Sequence, residues 1–177
     1  MTEKREEFDV RTGSAEDIDL IVDFRKKLFT EMGVGDESFI ENSWAEVRSR
    51  YLDELKKDRI RHYIAYNRDN VPVSIAGTLL KSDFPYYLFK PGFYGWIIDV
   101  YTVPEYRGKG LADRLMQYNH QWIKDKGGYE SKLIASGIEA RKLYEREGYT
   151  PTWELSLNLT DTKTFNNLID ARGTIDA

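Results

Sequence analysis

The chain has 177 residues, enough for one domain that buries its own core, and 30 Asp and Glu against 26 Lys and Arg give a formal charge of −4. That acidic balance argues against a general nucleic-acid coat, and the absence of cysteine excludes a disulfide framework, a thiolate zinc site and a cysteine nucleophile. Apolar residues make up 41% of the chain, too many for disorder, and no apolar run approaches the ~18 residues that cross a bilayer. The charged start Met1-Thr2-Glu3-Lys4-Arg5 leads into no apolar h-region, so a cytoplasmic protein with no membrane partner is expected.

Phe8 to Arg11 alternates as a short strand. Ser14 then offers an N-cap with acids in the first turn, and Ile18, Ile21, Val22 and Leu28 follow at helical spacing. Gly33 and Gly35 end that helix, and Asp36 is placed to cap a second. Its apolar face, Ile40, Trp44, Val47, Tyr51 and Leu55, advances in steps of four, three, four and four. His62 to Tyr66 reads as a strand, Asn67 to Asn70 as a hairpin turn and Val71 to Lys81 as the return strand. Phe84 to Tyr94 holds six aromatics in 11 residues with Pro85, Pro91 and Gly92, and is expected to form a packed hairpin or a contact for an acceptor or a second copy.

Trp96 to Thr102 predicts a further strand, ended by Pro104. A helix is expected from near Arg107, with Leu111, Leu115, Tyr118 and Trp122 on one face and Gly127-Gly128 at its end. Lys132 to Ala135 reads as a short strand. A short helix follows with Ala140, Leu143 and Tyr144 on one face, and Trp153 to Leu159 alternates as a last strand. The order β-α-α-β-β-β-α-β-α-β predicts an α/β (α+β) fold, a mixed sheet with helices on its faces. A single domain is expected, with its core at about residues 8–159 and a polar tail at 160–177.

The stretch Val100-Tyr101-Thr102-Val103-Pro104-Glu105-Tyr106-Arg107-Gly108-Lys109-Gly110-Leu111-Ala112 runs from a strand through a glycine-bearing turn into a helix. Such a turn gathers backbone N–H groups at the positive end of a helix dipole, which suits an anion. The amides from Arg107 through Ala112 are expected to form a cup for a diphosphate, with Gly108 and Gly110 admitting it closely and Arg107 and Lys109 adding charge. A Walker loop fails, because Gly110 follows Lys109 and the required earlier glycine is missing. The dinucleotide fingerprint fails at Asp113, where its third glycine would stand, and its acid would be Glu130, before the next strand. The pattern Gln/Arg-x-x-Gly-x-Gly/Ala is met by Arg107, Gly110 and Ala112.

That run resembles the cofactor motif of the GNAT superfamily, the acyl-CoA-dependent N-acetyltransferases. A second stretch, Ala140-Arg141-Lys142-Leu143-Tyr144-Glu145-Arg146-Glu147-Gly148-Tyr149, is similar to the family's Ala-x-x-x-Tyr-x-x-x-Gly-Phe/Tyr ending. The resemblance implies a mostly antiparallel sheet with helices on both faces and a splayed parallel pair, Trp96–Thr102 beside Lys132–Ala135, that admits a pantetheine arm. It implies acetyl-CoA as co-substrate and no metal. Backbone groups at Val100 and Thr102, with Tyr101 between them, would bind the arm. The turn residues Gly108, Lys109, Gly110, Leu111 and Ala112 would hold the pyrophosphate. Tyr144 would donate to the departing thiolate, and Asp99, the acid on the strand before the motif, would receive the proton of the amine. Many members carry an Asn near the start of the last helix; here the residues are Ala135-Ser136-Gly137-Ile138, and Ser136 stands in its place. An amine acceptor and a homodimer are the partners implied.

The residues alone leave alternatives. Tyr144 is either that donor or a packed ring with one internal hydrogen bond. Asp99 is either a base or a structural acceptor, on a face that strict alternation shares with Ile97 and Tyr101. His62 and His120 read as a strand surface and a solvated helix face, neither with a second ligand at metal spacing. The acids Glu31, Asp36, Glu37 and Glu41 read as solvated. A non-catalytic acyl-CoA-binding regulatory module is the alternative function. A nucleic-acid adaptor using Arg107, Lys109 and Arg114 is opposed by the net charge.

Overall fold

The computed structural model describes residues 8–34, 43–85, 92–155 and 157. They fall into two compact units, residues 1–28 with 41–133 and residues 29–40 with 134–177. Asp36, Glu37, Ile40 and Glu41, most of the Phe84–Tyr94 aromatic stretch, and the tail lie outside the described residues.

In the first unit the strands are β1 (Asp9–Thr12), β2 (Ile60–Tyr66), β3 (Pro72–Ser82), β4 (Phe93–Thr102) and β5 (Ser131–Lys132). They form one sheet in the order β1-β2-β3-β4-β5, with β1 to β4 antiparallel and β5 parallel to β4. The helices are α1 (Ile18–Glu31), whose last three residues belong to the second unit, α2 (Ser43–Lys56) and α3 (Leu111–Asp125).

Ser14 starts the first helical segment as its sequence predicts. Its hydroxyl accepts from the Glu16 N–H, while its own N–H donates to the Asp17 carboxylate at 2.8 Å, a reciprocal capping box. Ile18, Ile21, Val22 and Phe24 of α1 and Tyr51 of α2 then pack on Ile60, Ile64, Tyr66 and Ile75. Trp44, Val47 and Leu55 flank this layer, so the helical face read from the sequence is the buried one. On the opposite side, Leu111 and Leu115 of α3 pack with Phe8, Ala65, Val73 and Ala76. β2 serves both layers by alternation: Ile60, Ile64 and Tyr66 go one way and Ala65 the other.

Several boundaries differ from expectation; β4 begins at Phe93 rather than Trp96, and β2 and β3 shift by one or two residues. The helix expected from near Arg107 begins at Leu111, because Gly108 and Gly110 both take left-handed conformations (φ 73° each) that no helix interior admits. β5 is two residues long and ends at Lys132 rather than Ala135. The last expected strand does not form among its described residues, 153–155 and 157, where Trp153, Leu155 and Leu157 are exposed. Alternation gives a segment two faces but supplies no partner for its N–H and C=O groups.

The second unit holds α4 (Ile138–Arg146), entered from Gly137 and left through Gly148 with φ 92°. No described helix is long and apolar enough to cross a membrane.

Candidate active site

β4 carries the site. It pairs with β3 along its length, but its pairing with β5 covers only Gly95 with Ser131 and Trp96 with Lys132. From Ile97 to Thr102 the β5 side of β4 has no strand partner among the described residues. The parallel pair that the sequence resemblance implies is thus present and two residues long.

Beyond Thr102 the chain is pinned before it turns. The Val103 N–H donates to the Val73 carbonyl at 2.9 Å. Tyr106 sets its ring edge-on to Phe8 at 6.1 Å and accepts a hydrogen bond from Asn67 Nδ2 at 2.9 Å. The turn from Arg107 to Gly110 follows, and the buried Leu111 roots the start of α3 in the core. Among the described residues, the N–H groups of Gly108, Gly110, Leu111 and Ala112 meet no acceptor of the protein. A Cβ added to Gly108 or Gly110 would meet nothing within 4 Å, so the face of the turn is open. These unpaired amides, at the N-terminus of a 15-residue helix, fit a diphosphate.

Arg107 departs from the expected cup of six amides. Its N–H donates to the Pro104 carbonyl at 3.2 Å, closing the 3-10 turn of Pro104–Tyr106, so it is not offered to a ligand. Its Nε donates to the Thr102 carbonyl at 2.9 Å, which braces the turn against the end of β4. The Lys109 ammonium lies 4.9 Å from the Tyr106 ring centroid. Arg114 donates to the Phe8 carbonyl at 3.0 Å.

Asp99 sits where β4 is irregular. Two β4 residues, Asp99 and Val100, face the single residue Ala76 of β3, because the pairing jumps from Gly77↔Ile98 to Ile75↔Tyr101. Asp99 has φ 56°, the left-handed residue of a β-bulge. The bulge corrects the face assigned by alternation. An added Cβ at Gly95 would strike Ile123 of α3, and Ile97 has the same parity. Ile98 and Tyr101 both pack with α1 and α2, the side on which Asp99 makes its contacts, whereas Val100 packs with α3.

The Asp99 side chain is fully buried and has three donors. Arg25 Nη1 of α1 bonds one oxygen; Tyr51 OH of α2 and His62 Nε2 of β2, at 2.9 Å, bond the other. Arg25 also donates to Tyr51 OH at 3.2 Å. Burial pushes the Asp99 carboxyl up, but the hydrogen bond from His62, the Arg25 charge and Tyr51 outweigh it and hold the group below its ordinary value. Burial and the neighbouring carboxylate push the Tyr51 phenol well up.

His62 is therefore not a strand-surface residue. It is 3% exposed, and it reaches Asp99 by lying across Gly77 of β3, where an added Cβ would stand 2.3 Å from His62 Cδ2. Its parity with Ile60 and Ile64 is the signal that marks the inward face. Nothing local in the sequence marks Arg25 or Tyr51 as its companions. His120 is half-buried on α3, and burial with Lys124 lowers its imidazole.

In the second unit, Tyr144 of α4 is buried and sets its ring edge-on to Tyr149 at 5.9 Å. Burial pushes its phenol up to about 12. The Ser136 hydroxyl faces Met32 Sδ at 3.8 Å. Among the described residues no cluster of His, Asp and Glu could hold a metal ion.

The profile of the acetyltransferase (GNAT) family matches residues 25–149, 125 of the 177 positions. A predicted acetyltransferase from Clostridium acetobutylicum, solved with acetyl-CoA, is 26% identical, with a TM-score of 0.79 over 86% of this chain and 97% of its own. A GCN5-related N-acetyltransferase from Ralstonia eutropha JMP134 is 21% identical, with a TM-score of 0.77 over 86% and 99%. The aminoglycoside acetyltransferase AAC(6')-Iy, solved with a CoA bisubstrate analogue, shares the fold at 18% identity and a TM-score of 0.68 over 88% and 99%. No curated protein matches the chain.

Proposed function

The chain belongs to the acetyltransferase (GNAT) family, and on that premise we propose that it transfers the acetyl group of acetyl-CoA to a primary amine of a small molecule or peptide. The observation that carries this reading is the open turn. Gly108, Gly110, Leu111 and Ala112 present unpaired amides at a helix N-terminus, and no Cβ obstructs the glycines. The similar C. acetobutylicum protein holds acetyl-CoA, which supports the same co-substrate here.

In this mechanism the turn grips the pyrophosphate. Backbone groups of Val100 to Thr102, on the edge of β4 that β5 leaves open, bind the pantetheine arm. The ammonium gives a proton to solvent water and the neutral amine attacks the thioester carbonyl; the C–N bond forms, the carbonyl oxygen gains charge, and the C–S bond then breaks, with CoA leaving as a thiolate that ends with the second amine proton. Backbone N–H groups of the open strand stabilise that oxygen. The Tyr144 hydroxyl keeps its proton at every working pH, since burial raises it to about 12. It donates a hydrogen bond to the sulfur as thiolate charge develops. The composition and charge suit a cytoplasmic enzyme.

Two measurements test the proposal. Acetyl-CoA at 100 times its Kd should add about 2.7 kcal/mol of stability, a rise of roughly 5–10 °C in Tm for a chain of this size. Free-thiol release across a panel of amines should reveal turnover, and Tyr144→Phe should lower kcat about a hundredfold with little change in CoA affinity. No thermal shift with either acetyl-CoA or CoA refutes the cofactor site. Binding without turnover on any amine, with indifference to Tyr144→Phe, gives the function to the acyl-CoA-binding module instead.

A further inference from the structure

The buried group around Asp99 coincides with the one irregular step in the pairing of β4 with β3. A left-handed φ at a residue other than glycine is strained and persists where its surroundings over-determine it. Here they do so from both faces. On one face Arg25, Tyr51 and His62 hold the carboxylate, and the His62 ring has room only because position 77 is glycine. On the other, Asn119 of α3 donates to the carbonyl of Ala76, the β3 residue that faces the bulge, at 3.3 Å, and to the Leu115 carbonyl at 2.9 Å, while accepting from Thr78 at 2.7 Å. Asn119 is completely buried. Four elements thus direct buried or half-buried polar side chains at one backbone step.

That step lies within the span, Ile97 to Thr102, where β4 has lost β5. A bulge leaves its extra residue out of the ladder and bends the strand, so the backbone of β4 is re-aimed at residues 99 and 100, in the stretch left open toward β5. We propose that Asp99 is a positioning residue: with Arg25, Tyr51, His62 and Asn119 it locks the β4 bulge in the orientation that aims backbone N–H groups at the acyl carbonyl. This deepens the transferase reading and rests on it. It assigns the carboxylate a role through the backbone and not as acceptor of the amine proton. The groups facing Asp99 agree: the Arg25 cation from α1, the Tyr51 hydroxyl from α2 and the His62 imidazole from β2 occupy its oxygens, and β3 presents only Gly77.

The experiment compares Asp99→Asn, Asp99→Val and Tyr51→Phe in the full chain. Asparagine accepts a left-handed φ and keeps part of the hydrogen bonding, whereas the β-branched valine tolerates neither. The probe is acetyl-CoA carrying 13C at the carbonyl, with CoA affinity measured separately by calorimetry. In the wild type the carbonyl resonance should move downfield on binding. Asp99→Val should return it to the free position while the Kd for CoA moves less than about threefold. Asp99→Asn should keep most of the shift. Tyr51→Phe, which leaves residue 99 unchanged and covers the case in which Asp99→Val does not fold, should lose part of it. With an amine that turns over, kcat should fall on the order of tenfold to a hundredfold in Asp99→Val, and only several-fold in Asp99→Asn, whose pH profile should keep the wild-type acid limb.

Equal loss of kcat in Asp99→Asn and Asp99→Val, with the acid limb gone in Asp99→Asn, makes Asp99 the proton acceptor and overturns the proposal. A wild-type carbonyl that does not shift, or a full shift in both Asp99→Val and Tyr51→Phe, also overturns it. Failure of the wild type to bind acetyl-CoA is a separate result that removes the transferase reading itself.

Discussion

Replacing Gly77 by alanine tests the geometry of the buried cluster without touching any polar group. The new Cβ would stand 2.3 Å from His62 Cδ2, 2.5 Å from Nε2 and 3.1 Å from Cγ. Ordinary carbon contacts begin near ~3.5 Å, so the imidazole must move by about 1 Å. It is not free to do so. Its Nε2 is 2.9 Å from Asp99, its ring centroid lies 5.2 Å from that of Tyr51, and the residue's carbonyl is held by the Gly13 N–H at 2.8 Å. Overpacking a core costs about 1–3 kcal/mol, and losing a hydrogen bond to a charged group adds roughly 1.5–3 kcal/mol. The expected loss is about 2.5–6 kcal/mol, a fall of roughly 5–24 °C in Tm. Urea unfolding of Gly77→Ala, His62→Ala and the double variant measures the coupling. With His62 truncated the clash disappears, and alanine should then be neutral or stabilising by about 0.5 kcal/mol relative to a glycine in a strand. If Gly77→Ala is harmless alone, or costs as much without His62 as with it, the ring does not lie over position 77 and the lock described above is misdrawn.

The remaining predictions concern the turn and the carboxylate. Gly110→Ala meets no atom within 4 Å but must hold φ 73°; thermal melts should show a loss of about 1–2 kcal/mol. CoA titration should show affinity down tenfold or more as the amides turn away, and an unchanged Kd would separate the turn from the pyrophosphate. Asp99 is held below its ordinary value when folded, so its contribution to stability is full above the unfolded value near ~3.9 and is lost as pH falls through the folded one. Urea melts should therefore show a large stability gap between wild type and Asp99→Asn at pH 7 that narrows at pH 3. A gap independent of pH would mean the carboxylate is not held ionised by the cluster.

The parts of this site that could be read in the sequence are the ones encoded over a few consecutive residues. The turn from Arg107 to Ala112 was legible because left-handed glycines, a helix start and a cation leave a local signature, and Ser14 was legible as a cap for the same reason. The capping of Arg107 was not, since nothing in the letters says that Pro104 closes a 3-10 turn onto its amide. The reading of His62 as a strand-surface residue overlooked its parity with Ile60 and Ile64, and alternation was carried one residue too far in β4, because a bulge inserts a residue without changing the composition around it. Asp99 and Asn70 both take positive φ, and only the second lies between turn residues that announce it.

The buried lock illustrates what a single chain still offers. His62 shares parity with Ile60 and Ile64, and in the β2–β3 register it stands opposite Gly77. A polar ring on a core face beside the one β3 residue without a side chain can lie flat across that strand, and what it reaches must be a partner on the next. That inference needs only the register, two residue types and the rule that a buried polar group finds a hydrogen bond; it leads from β2 across β3 to the acid on β4. A carboxylate taken out of water needs a cation and further donors to remain ionised, a need that Arg25 and Tyr51 meet from the two helices packed on this face. The His62–Asp99 half of the cluster thus follows from long-range register once the pairing of the strands is known, whereas Arg25 and Tyr51 follow only from the packing of α1 and α2 on that face.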